Sequence, residues 1–65
     1  MKYKFNSIDD VVRRLNDGIE RTDEELQMCK EWLMVYQAAC ELSLNELDEL
    51  CFEHPDWFFE WIFGE

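Results

Sequence analysis

Histidine, glycine and proline are almost missing from this chain, which has one histidine, two glycines and one proline in 65 residues. A single histidine, His54, leaves little room for metal or acid–base clusters, and two glycines cannot build a glycine-rich phosphate loop. So few breakers also mean that most of the length is regular structure. Cations are scarce beyond residue 21. Residues 22–65 hold one Lys and twelve Asp/Glu, a net of −11, whereas residues 1–21 hold five Lys/Arg and four Asp/Glu, a net of +1. This excess of one sign disfavours nucleic acid and anionic membranes as direct partners, because both are polyanions, and favours a basic protein. No apolar run approaches a membrane span. "MKYKFNSIDDVVRRL" is basic at its start but lacks the apolar stretch of a secretory signal. The three cysteines, Cys29, Cys40 and Cys51, cannot all pair within the chain, so the expectation is a cytoplasmic protein with reduced thiols.

What the chain does contain is apolar surface. Hydrophobic residues make up 48% and aromatics 15%, a composition that folds despite a formal charge of −10. One small domain over residues 1–65 is expected, near the lower size limit for folding unaided.

Three segments, "SIDD", "TDEE" and "SLNE", place Ser or Thr three residues before an acid. In this capping-box pattern the hydroxyl accepts from an orphan helix amide and the acid reaches back to the cap's own amide. Ser7, Thr22 and Ser43 should therefore open three helices. The first runs from about Ile8 to Asp17, with Ile8, Val11, Val12 and Leu15 on one face, and Gly18 ends it in a left-handed conformation. The second runs from about Asp23 to Glu41 or Leu42. It carries two stripes at helical spacing: Leu26, Cys29, Leu33, Tyr36, Cys40, and Met28, Trp32, Val35, Ala39, Leu42. That width predicts a central helix. The third, Leu44 to Glu53, turns Leu44, Leu47, Leu50 and Cys51 inward and Glu46, Asp48, Glu49 and Glu53 outward. Pro55 stops it and opens a short aromatic fourth helix to Phe63, closed by Gly64. A strand is the rival for the tail, with only the "KYKF" alternation of Tyr3 and Phe5 to pair with it. The fold expected is all-α, a compact bundle of three capped helices and a short aromatic C-terminal helix, packed around residues 26–40.

Motifs for catalysis and metals are incomplete. Cys51 and His54 have the C-x-x-H spacing of half a zinc site, but Cys29 and Cys40 lie roughly 16 Å apart along one helix and cannot complete it together. "LNDGIERTDEE" has part of a calcium loop, yet Arg13 and Leu15 occupy its opening positions. No catalytic residue, metal or cofactor is expected.

Surface is what remains. Glu46, Glu49 and Glu53 share one exposed face of the third helix, and Glu24 and Glu31 one face of the second, at spacings similar to phosphates along a nucleic-acid strand. In the tail, Trp57, Phe58, Trp61 and Ile62 are expected to join the core, leaving Phe59 and Phe63 as anchors for a partner. In size, acidity and absence of motifs the chain is similar to the small inhibitor proteins carried by bacteriophages and mobile elements. Many of those imitate nucleic acid to block host defence or DNA-processing enzymes. That similarity implies a partner that is a basic nucleic-acid-binding protein or enzyme. The alternative is a self-associating helical module, a homodimer through the aromatic C-terminal segment.

Overall fold

The computed structural model describes residues 7–64, and four helices follow one another along them: α1 Ile8–Leu15, α2 Asp23–Cys40, α3 Leu44–Glu53 and α4 Pro55–Phe63. The protein is all-α, with no strand among the described residues. The Tyr3/Phe5 alternation weighed as a strand lies outside them.

Two of the three capping boxes form. Thr22 Oγ1 accepts from the Glu25 amide at 3.1 Å while Glu25 Oε1 accepts from the Thr22 amide at 2.9 Å. Ser43 and Glu46 repeat this at 3.1 and 2.9 Å. At Ser7 the hydroxyl makes no capping bond. Its box partner Asp10 pairs instead with Arg13 one turn on, at 3.4 Å. Helix α1 also ends earlier than its pattern suggests. Asn16 leaves the helix and turns its side-chain amide back onto the Val12 carbonyl at 2.9 Å, and Gly18 then takes φ +79°. Helix α2 stops where Glu41 adopts φ +53°, a left-handed conformation that costs a non-glycine residue about 1 kcal/mol. The Leu42 amide then bonds the Gln37 carbonyl at 3.0 Å, closing the helix end. Gly64, at φ +73°, closes α4.

Each helix gives two residues to the core: Val11 and Val12, Cys29 and Leu33, Leu47 and Cys51, Phe58 and Ile62. Helix α1 packs on α2 and α3, and α4 packs on the same two. This arrangement corrects the expectation of a central α2. Its 18 residues span about 27 Å, while α1 and α4, with 8 and 9 residues, span about half that. Such short neighbours cover one stripe only. Cys29 and Leu33 of the first stripe are buried, whereas Met28, Trp32 and Val35 of the second are exposed. Among the described residues no helix is long and apolar enough to cross a membrane.

Candidate partner-binding surface

Helix α4 has aromatic rings on both flanks of its buried Phe58–Ile62 edge. On one flank Trp57 and Trp61 stack with ring centres 5.6 Å apart and meet α2. Trp61 lies edge-on to Trp32 at 5.2 Å, and Tyr36 contacts Trp57, Phe58 and Trp61 at 5.2–5.8 Å. On the other flank Phe59 and Phe63 form a bed for Arg21, whose guanidinium carbon lies 5.0 and 4.2 Å from their ring centres. Arg21 comes from the α1–α2 connection and its side chain is only 8% exposed. Its Nε donates to Asn16 Oδ1 at 3.1 Å and a terminal nitrogen sits 3.9 Å from Glu25.

The tail pairs expected for core and surface are therefore exchanged. Trp57 is 52% exposed and Trp61 is also exposed, while Phe59 and Phe63 are half-buried with Arg21 against them. The reason is a cation that sequence spacing gives no way to place against residues some forty positions away. Together with Met28, Trp32 and Val35, the two indoles make an exposed apolar ridge along the α2–α4 seam. Contiguous exposed aromatics of this kind mark contact surfaces. The rings touch one another too closely to leave room for a cation between them, so the ridge offers faces and edges, and no cage.

Beside the ridge, Tyr36, Leu50, His54, Trp57 and Phe58 line a recess of about 260 Å³. It is smaller than the roughly 300–1,000 Å³ of small-molecule sites, a size suited to one protruding side chain. Leu50 lies one turn of α3 from Glu46 on one side and one turn from Glu53 on the other, so the acidic face adjoins the recess edge.

Glu24, Glu31, Glu46, Glu49 and Glu53 are all exposed. The first two border Met28 and Val35 on α2, and the last three line the outer face of α3. The two sets belong to different helices, α2 and α3, which pack mainly on α1 and α4 rather than on each other. Their roles also differ. Glu46 already serves the Ser43 cap, and Glu31 accepts from the Gln27 amide at 3.1 Å. Asp48, expected on the outer face, is buried and bonded to Arg14 at 3.2 Å across the α1–α3 contact. Burial raises its carboxyl above the ordinary range, Arg14 opposes the shift, and Glu49 adds to it. Arg14 also lies over Phe52, which is 72% exposed.

The charges segregate as a result. Among the described residues Arg13, Arg14, Arg21 and Lys30 pair with Asp10, Asp48, Glu25 and Asp9. All four pairs involve α1 or its connection to α2, and neither α3 nor α4 carries a Lys or Arg of its own, although Arg14 and Arg21 reach Phe52, Phe59 and Phe63 on them.

The two residues of the cysteine–histidine half-site differ in burial. Cys51 is in the core and its thiol is pushed up to about 12, mainly by burial and further by Cys29 and Asp48. His54 is exposed at the α3–α4 junction. Cys29 is raised by burial too, although the Asn16 amide directed at its sulfur at 3.7 Å opposes this. Among the described residues, no three His, Cys, Asp or Glu side chains converge as metal ligands. No protein-family model, characterised protein or solved structure matches this chain.

Proposed function

We propose that this chain is a small acidic inhibitor that binds a basic nucleic-acid-binding protein or enzyme and occupies the place of its nucleic acid, without a reaction of its own. The observation that carries this reading is the segregation of charge. The cations are gathered around α1, and the outer faces of α3 and α4 are left anionic. Glu49 and Glu53, with Glu46 beside them, present carboxylates at one helical turn's spacing, comparable to phosphates along a strand. Their field speeds encounter with a basic groove, and the aromatic ridge supplies the short-range contacts that slow release. A class of inhibitor known from bacteriophages and mobile elements works in this way, with evasion of host defence as its purpose.

The test has two stages. Proteins captured on the immobilised chain at low salt and released at high salt are identified, and each is then bound to a labelled nucleic-acid duplex. Displacement of the duplex by the free chain, in proportion to occupancy, supports the reading. Simultaneous binding of chain and duplex contradicts it. The exposed indoles favour a second reading, a homodimer through the α2–α4 seam. It predicts a mass that doubles with concentration in sedimentation and persists in high salt.

A further inference from the structure

The recess at the α2–α3–α4 junction has a feature that the general reading of an acidic inhibitor does not require: an apolar floor with carboxylates beside it. Tyr36, Leu50, Trp57 and Phe58 form its walls, and His54 closes it at the helix break. Glu53 lies one turn from Leu50 along α3, and Glu60 one turn from Trp57 along α4, both exposed. Among the described residues no Lys or Arg lies on either of these helices. An occupant therefore gains by bringing cations around an apolar anchor. A second copy of the chain brings carboxylates to the same rim, where like charges oppose association.

We infer that this recess seats one apolar side chain from a Lys/Arg-rich segment of a partner protein, with Trp57 as its wall and the ridge of Trp61 and Trp32 covering the adjoining turn. The volume of about 260 Å³ accommodates one side chain. The exposed indole faces next to it suit flanking Lys or Arg groups, which stack on tryptophan more favourably than on other rings. The anchor limits dissociation, and the rim selects a basic segment. This inference rests on the proposed inhibitor function for its choice of a basic partner, but it assigns the apolar contact to a defined place.

Three synthetic amidated peptides of sixteen residues provide the probe. One alternates leucine and lysine with helical periodicity, one replaces every leucine by serine, and one replaces every lysine by glutamate. Titration into isotope-labelled protein is followed through the indole N–H signals of Trp32, Trp57 and Trp61 and the amide signals of Leu50 and His54. The leucine–lysine peptide is expected to shift Trp57, Leu50 and His54 most and to bind about ten-fold more tightly than the serine–lysine peptide. The leucine–glutamate peptide should leave these signals in place. Trp57→Ala should abolish the ten-fold preference, and Glu53→Lys should weaken binding with the recess intact. Circular dichroism checks the fold of both.

Equal binding of the two lysine peptides, largest shifts at Phe52 or α1, or shifts that grow with protein concentration alone would overturn the assignment. The two ideas fail separately. Peptide seating in the recess without duplex displacement by the chain overturns only the inhibitor reading. Duplex displacement with no recess response to the leucine–lysine peptide overturns only the docking site.

Discussion

Arg21→Ala tests the packing that positions the whole C-terminal helix. The guanidinium lies 5.0 and 4.2 Å from the Phe59 and Phe63 ring centres and is largely shielded from water, so each contact lies toward the upper part of the range of about 0.5–2 kcal/mol. Its Nε also donates to the buried Asn16 at 3.1 Å, a charge-assisted bond of about 1.5–3 kcal/mol. These contributions share one side chain and do not simply add, so a loss of about 3 kcal/mol is expected. Domains are typically stabilised by only about 5–15 kcal/mol, and a chain this short belongs near the lower end. Urea unfolding followed by circular dichroism should show the midpoint falling sharply. Arg21→Lys should recover less than half of the loss, because a point charge lacks the flat face that lies on both rings. A Phe63→Leu double-mutant cycle should return a coupling of about 1 kcal/mol. Stability of Arg21→Ala within about 0.5 kcal/mol of the native protein would show that this guanidinium does not hold α4 in place.

Thr22→Ala should destabilise by about 1 kcal/mol in thermal unfolding, and Ser7→Ala by much less, since only the former side chain caps its helix. Equal losses would contradict the assigned caps. A thiol reagent should modify Cys40 rapidly and spare Cys29 and Cys51 until the protein opens, because the latter two are buried and their thiolates disfavoured. Mass spectrometry against time reads the difference, and fast triple labelling would refute it. Asp48 has a raised folded-state pKa, so the folded chain holds this proton more tightly than the unfolded one. Its contribution to stability therefore increases as pH falls through the folded pKa and decreases as pH rises through it. Asp48→Asn should match or exceed the native protein in urea midpoint at pH 7, with the advantage gone once the pH is below 3.8, where the carboxyl is neutral in both states. A large loss at pH 7 would show that the Arg14 pair outweighs burial.

Local grammar in the sequence carried the helices well. The Thr22 and Ser43 boxes, the Pro55 start of α4 and the left-handed glycines at 18 and 64 all follow from residues a few positions apart. The failures arose where distant residues choose between locally equal options. On α4 the Trp57/Trp61 and Phe59/Phe63 flanks are equally apolar, and only Arg21 and Tyr36, brought in by the fold, decide which pair stays exposed. Asp48, by contrast, stands one turn from both Leu44 and Cys51, so its spacing alone implies the inward face where Arg14 of α1 meets it. Glu46 was readable both as a cap and as part of an acidic face, and the structure shows the cap to be formed. The aromatic ridge was half-visible: the width of the α2 stripes showed a surplus, but the rotation of α4 determined where it lies.

The binding account depends most directly on Glu49 and Glu53, exposed on α3 and free of the capping role that Glu46 has. The measurement is the association rate of Glu49→Lys/Glu53→Lys with a captured basic partner, by stopped-flow, across a series of salt concentrations. Association should be slower at low salt and converge with the native rate as screening shortens the reach of the charges. Dissociation should change little, since the aromatic contacts are intact. Association rates identical to native at every salt concentration, with the fold intact, would contradict the claim that this face recognises the partner.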